Sequence, residues 1–213
     1  MYRFIMFDLD GTLTDSGRSV ISCVEHALKH FGYTDQPMDK LRTFIGPSLH
    51  DSFIREYGMN EQDCEKAIAL YRKEYESEKM YDVDIYEGIP QLLKDLKENG
   101  FVSYVITSKP LIFSEKILER IGLAQYFEHI VGPEIGDNSS DKKRLIEKAV
   151  AEFGLKKQEC IMIGDTKFDI LGARGAGIDS IGVTYGYGKE EELKESGATY
   201  IVPDTKAVAE ILY

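Results

Sequence analysis

The chain has 213 residues, 43% of them hydrophobic, and a formal net charge of −11. That length and composition suit one sizeable α/β domain, or a core with a smaller insertion, and exclude a globally disordered chain. The acidic balance argues against non-specific nucleic-acid or anionic-membrane partners, while an anionic substrate remains open to a local field. Cys23, Cys64 and Cys160 are odd in number and form no CxxC pair, which argues against a disulfide framework or a structural zinc site. No stretch approaches the roughly 20 apolar residues of a membrane span. Asp8 and Asp10 interrupt the apolar run at the amino terminus, so no signal peptide is read there and a cytoplasmic protein is expected.

In chain order, the first apolar run is RFIMF (Arg3–Phe7). Residues 16–82 hold no convincing strand, only helical patterns at Arg18–Phe31, Leu49–Tyr57 and Glu61 to Met80, the last with Asn60 as its cap. Four residues apart on the first of these, His26 and His30 read as a solvated face. The tyrosines from Tyr71 to Tyr86 read as packing of the inserted helices. Beyond residue 83, strands and helices alternate: helix Gln91–Asn99, strand FVSYVI (Phe101–Ile106), helices Leu111–Ile121 and Asp141–Phe153, then strands CIMI (Cys160–Ile163), SIGV (Ser180–Val183) and a weaker YIV (Tyr200–Val202). Short apolar runs bounded by turns suit strands buried on both faces, and proline before a helix with glycine after it marks the helix ends. The stretch GARGAG (Gly172–Gly177) is no dinucleotide fingerprint, and its glycines are expected to end the helix that follows Asp169. The fold expected is therefore α/β, a doubly wound parallel sheet formed by residues 1–15 and 83–213, with a small all-helical domain, 16–82, inserted after the first strand.

Three strand ends are polar. The first carries Asp8 and Asp10, the second Thr107, Ser108 and Lys109, and a later one GDTKFD with Asp165 and Asp169. Ligands of open α/β sheets bind at the carboxyl ends of strands, so these residues can converge. Read alone, Asp165 and Asp169 would be a helix cap and a first-turn acid. Converging carboxylates, however, repel: two of them about 4 Å apart oppose each other by roughly 4 kcal/mol at an effective dielectric of about 20. A hard divalent cation such as Mg2+ answers that repulsion and tolerates phosphate oxygens in its shell. An ionised aspartate is already a nucleophile toward phosphorus. A second aspartate two residues on can protonate the leaving oxygen and later activate water. Short hydroxyls and a lysine would hold the transferring phosphoryl group.

DLDGTLTDS, VITSK, a downstream lysine and IGDTKFD, in this order, resemble the haloacid dehalogenase superfamily, and most of all its phosphoglycolate-phosphatase-like branch with a helical cap after the first strand. The resemblance implies a Rossmann-like core. It makes Asp8 nucleophile and Mg2+ ligand, and Asp10 general acid/base with its main-chain carbonyl on the metal. It gives phosphate to Thr107 and Ser108, the metal to Asp165, and the metal shell or the lysine to Asp169. The phosphate lysine is Lys142 or, one residue on, Lys143 in SSDKKRLI. The segment RTFIGPSLHDSF (Arg42–Phe53) is similar to the branch's specificity loop, with Arg42 offered to a substrate anion and Lys109 a second specificity residue. TSKP and TYGYG (Thr184–Gly188) also look like this branch, including its 5′-nucleotidases.

The activity implied is Mg2+-dependent hydrolysis of a small phosphorylated metabolite, in a monomer or homodimer. A β-phosphoglucomutase-like phosphomutase would use the same nucleophile. A phosphoryl-receiving signalling module shares the acidic cluster with Thr/Ser and Lys, but is smaller and places its acceptor on a middle strand. Dehalogenation would leave Asp10 and the metal site without a role.

Overall fold

The structure is a computed structural model that describes residues 1–137 and 141–213, so Ser139 and Ser140 of SSDKKRLI lie outside the described residues. The chain divides into two compact units, Met1–Asp15 with Ile85–Tyr213, and Ser16–Asp84.

The first unit is built on strands β1 (Phe4–Phe7), β4 (Val102–Ile106), β5 (Phe127–Val131), β6 (Cys160–Gly164), β7 (Asp179–Val183) and β8 (Tyr200–Val202). They form one parallel sheet in the order β5-β4-β1-β6-β7-β8. A short two-stranded sheet pairs β2 (Thr14–Asp15) with β3 (Asp84–Ile85), where the chain leaves and re-enters this unit. Five longer helices and one short one pack with the sheet: α5 (Ile89–Glu98), α6 (Leu111–Arg120), α7 (Lys142–Glu152), α8 (Lys167–Ala176), α9 (Glu190–Ser196) and α10 (Thr205–Leu212).

Alternation along β1 explains the layers. Ile5 and Phe7 join Ile161, Ile163, Leu93, Leu96 and Val208 in one buried cluster, while Met6 joins Met162, Ile146, Ala149 and Ala173 in the other. Both faces of the strand are therefore covered, which is why its sequence reads as a continuous apolar run. Register then sets the site. Phe7 lies beside Val105 of β4 and Ile163 of β6, so the residues that follow these strands emerge along one edge.

The second unit contains α1 (Gly17–His30), α2 (Met38–Arg42), α3 (Leu49–Tyr57) and α4 (Glu61–Tyr75). Asn60 caps α4 by accepting from the Asp63 N–H at 2.9 Å, and Ser48 caps α3 by accepting from that of Asp51 at 3.1 Å. Phe44 meets Phe53 edge to face at 4.9 Å between ring centres, and Tyr71 stacks on Tyr75 at 5.4 Å.

Three expectations need correction, and one strand went unread. The long helix expected to reach Met80 stops at Tyr75, and a 3-10 turn covers Glu78–Tyr81. Ser77 between them returns its hydroxyl to the Glu74 carbonyl, a bond that competes with continued helix. GARGAG does not end α8: Gly172 and Gly175 lie inside it, and only Gly177, at φ +74, closes it. Tyr86 belongs to the sheet unit and packs on Tyr185 at 4.9 Å. Strand β5 went unread because Glu128 and His129 are exposed on this edge strand, which breaks the apolar run.

Candidate active site

Asp8 follows β1 directly and is 4% exposed. The turn after it needs Gly11, which adopts φ +88, and a Cβ there would overlap the Asp165 carboxylate. Asp165 follows β6 and is fully buried. Its Oδ1 accepts from the Thr12 hydroxyl at 3.1 Å, and its Oδ2 accepts from the Tyr187 main-chain N–H at 2.8 Å. Asp169 sits in the first turn of α8, where its Oδ2 accepts from the N–H of Thr166 at 3.0 Å and from its hydroxyl at 2.8 Å. That is a capping box, so the helix start and the site share a residue.

Lys142 begins α7 and joins these carboxylates. Its ammonium lies 2.8 Å from Asp8 Oδ1 and 2.8 Å from Asp169 Oδ1, and it donates to the Ile106 carbonyl at 3.0 Å. Lys143 instead pairs with Glu147 at 3.0 Å and is half exposed. The glycines of α8 make room for this arrangement, since a Cβ at Gly172 would stand 2.7 Å from the Lys142 side chain. On the other side, the Lys109 ammonium lies 2.9 Å from Asp10 Oδ2, while Asp10 Oδ1 is buried without a hydrogen-bond partner among the described residues. Thr107 is 2% exposed after β4, its hydroxyl accepts from the Lys109 N–H at 3.2 Å, and Ser108 beside it is half-buried.

The register thus brings together Asp8, Asp10, Lys109, Lys142, Asp165 and Asp169, with Thr107 and Ser108 at the neighbouring strand end. Arg42 lies exposed at the end of α2 in the other unit. Sequence reading missed the partners of Asp165. Thr12 stood inside the first motif as a visible signal, but the Tyr187 contact is made by a main-chain group, which no residue type announces.

Burial governs the electrostatics. It pushes the Asp8 carboxyl up to about 7; Lys142 opposes the rise, and Asp169 and Asp10 add to it. Asp165 is raised well above the usual carboxylate range by burial first, then by the Asp169 and Asp8 charges. Burial also disfavours the Lys142 charge, yet Asp169 and Asp8 outweigh it and hold the ammonium firmly protonated. Burial raises the Tyr185 and Tyr187 phenols, so both remain hydrogen-bond donors at neutral pH.

Carboxylate oxygens of Asp8, Asp165 and Asp169 lie within 4.8 Å of one another. With Asp10 they make four carboxylates against two ammonium groups, a formal surplus of two negative charges. An all-oxygen donor set, raised carboxyl pKa values and an unpartnered buried oxygen on Asp10 together fit a hard divalent cation. Among the described residues, no helix is long and apolar enough to cross a membrane.

A doubly wound sheet with carboxylates from two neighbouring strand ends around a buried lysine is the architecture of a phosphoryl-handling α/β enzyme. The chain belongs to the haloacid dehalogenase-like hydrolase family, whose model matches residues 5–183. Within it, the chain is an enzyme of the phosphatase class. It is 36% identical over 211 residues to a 5′-nucleotidase of Pseudomonas aeruginosa, covering 99% of this chain and 96% of that one. A phosphoglycolate phosphatase of Colwellia psychrerythraea is 32% identical over 204 residues, covering 91% and 89%. The crystal structure of a predicted phosphatase from Clostridium acetobutylicum superposes with a TM-score of 0.96 at 40% identity, covering 100% of this chain and 98% of that one.

Proposed function

We propose that the chain is a Mg2+-dependent phosphomonoesterase that acts on a small phosphorylated metabolite through an aspartyl-phosphate, with residues 16–84 as its cap. The observation that carries this reading is the Asp8 carboxylate, buried at a strand end, held by Lys142 at 2.8 Å and placed beside Asp165 and Asp10. Asp8 attacks phosphorus, the ester P–O bond breaks, and Asp10 gives its proton to the leaving oxygen. Water then attacks the aspartyl-phosphate, Asp10 takes a proton from it, and inorganic phosphate leaves with Asp8 regenerated.

Lys109 lies 2.9 Å from Asp10 Oδ2 and orients the carboxyl that relays the proton. Lys142 keeps one Asp8 oxygen oriented and offsets charge on the phosphoryl group, while Thr107 and Ser108 supply hydroxyls at the adjacent strand end. Asp8, Asp165 and the Asp10 carbonyl would hold the cation. Asp169 is within reach, but both its oxygens are engaged by Lys142 and Thr166. When bound, Mg2+ screens the carboxylates and lets a dianionic phosphate approach. Arg42, exposed at the end of α2, stands as a specificity residue on the family resemblance alone.

Nucleoside 5′-monophosphates and phosphoglycolate are the first compounds to test, since relatives of this chain bear those activities in their names. A phosphorylated-metabolite panel with Mg2+, run beside Asp8→Asn, is the test. Free phosphate from the wild type alone supports the reading. No hydrolysis across the panel overturns it, a stable phosphoprotein favours a signalling module, and an isomerised sugar phosphate favours a mutase.

A further inference from the structure

The stretch Thr184–Gly188 follows β7 and has no part in the phosphoryl chemistry above, yet three kinds of contact press it against the carboxylate cluster. First, the Tyr187 N–H donates to Asp165 Oδ2 at 2.8 Å. Second, both phenols tie the stretch to the segment that follows Asp10: the Tyr185 hydroxyl donates to the Thr12 carbonyl at 3.0 Å, and the Tyr187 hydroxyl donates to Asp15 Oδ1 at 2.5 Å. Third, the intervening glycines are required for space. A Cβ at Gly186 would overlap the Gly11 carbonyl oxygen and the Asp165 side chain, and a Cβ at Gly188 would overlap the Asp165 main-chain oxygen. Neither glycine has a left-handed φ, so the requirement is room rather than backbone freedom. The alternation Tyr-Gly-Tyr-Gly therefore has a physical reading: the aromatic side chains anchor on the segment that follows Asp10 while bare backbone closes on Asp165.

We propose that Thr184–Gly188 is a positioning clasp for Asp165, one that fixes the carboxylate's orientation toward a divalent cation and is itself held by the hydroxyls of Tyr185 and Tyr187. The inference rests on Asp165 being a cation ligand, as proposed above. With Thr12 on Oδ1 and Tyr187 on Oδ2, each oxygen has one donor and keeps a lone pair for a metal. A ligand oriented before binding loses less freedom when the ion arrives, and removal of such outer contacts commonly weakens metal affinity by about 10- to 100-fold.

The test measures Mg2+ and Mn2+ binding to the full chain by calorimetry, without substrate. Gly186→Ala drives the Tyr187 N–H off Asp165, and its Kd is expected to rise by about 10- to 100-fold, with much of kcat restored at saturating Mg2+. Tyr187→Phe keeps the N–H and the ring but loses the tie to Asp15, and a rise in Kd of roughly 3- to 10-fold is expected. A merely structural loop would lower the melting temperature equally with and without metal and leave Kd alone. Wild-type Kd in folded Gly186→Ala and Tyr187→Phe, beside a wild type that binds metal, overturns the clasp while the function stands. Should Gly186→Ala fail to fold, Tyr187→Phe decides. A wild type that binds neither ion overturns the reading of Asp165 and the clasp with it.

Discussion

In residues 16–84 the buried polar residues, among those described, are three serines, Ser16, Ser19 and Ser52, within an apolar and aromatic interior. Charges stay outside there: the side chains of Arg18 and Asp82, 3.1 Å apart, are 65% and 54% exposed. At the carboxyl edge of the sheet the relation inverts, and the side chains of Lys142 and Asp8, 2.8 Å apart, are 3% and 5% exposed. The helical unit is thus held by burial and shape, with surface pairs that contribute little. The sheet edge holds charges whose desolvation is offset only while every partner is present. Substitutions in the helical unit should therefore act on stability alone, while those at the sheet edge act on chemistry and, where they strand a buried charge, on stability as well.

The sharpest break of that comparison is Asp8→Asn. Turnover is expected to fall on the order of 10^4-fold or more, while the metal-free melting temperature holds or rises, because a buried carboxylate is neutralised. A steady-state assay beside a thermal melt checks both halves. Lys142→Met should damage both properties. It strands Asp8 and Asp169 without their cation, costing about 3–5 kcal/mol of stability and most of the activity, and denaturant titration reads the first. Phe53→Ala, in the helical interior, should cost about 3–4 kcal/mol yet leave the Mg2+ affinity of the folded protein unchanged; a tenfold change in that affinity would end the contrast.

pH sharpens the comparison further. Asp8, at about 7, and Asp165, also raised, bind more protons folded than unfolded, where a carboxyl titrates near its ordinary value of 3.8. Their contribution is therefore present in full below pH 3.8 and is lost as pH rises toward and through 7. Metal-free melts should show this loss between mildly acidic and neutral pH, and Mg2+ should restore stability most at the higher pH. The smallest expected effect is Asn60→Ala, which removes the α4 cap and costs about 1 kcal/mol by denaturant titration without touching turnover.

Much of the sheet was legible because strands covered on both faces must be apolar throughout, as in Ile5, Met6 and Phe7. Strand β5 was not, since an edge strand can expose Glu128 and His129. Asp8, Asp10 and Asp165 were legible as charge at strand ends, and Asp169 as the next acid of the same motif, in the first turn of α8. Their partners were harder to see. Lys109 stood in the sequence as a specificity residue, but its pairing with Asp10 depends on adjacent strands, β4 beside β1. The Tyr187 contact uses a main-chain group, and the glycines of GARGAG looked like a helix end because local propensity cannot register a neighbouring helix.

Gly172 shows what such hidden dependence implies for variation in this chain. An alanine in a helix interior is normally preferred to glycine by about 0.5–1 kcal/mol, so the exchange would pass for an improvement by any local measure. Here one extra methyl would meet the stem of Lys142, the lysine that grips Asp8, without itself touching either carboxylate that the lysine pairs. The lesion would spread from the packing of α7 on α8 into the ion pairs of Lys142, and a survey limited to the carboxylates themselves would never assign it.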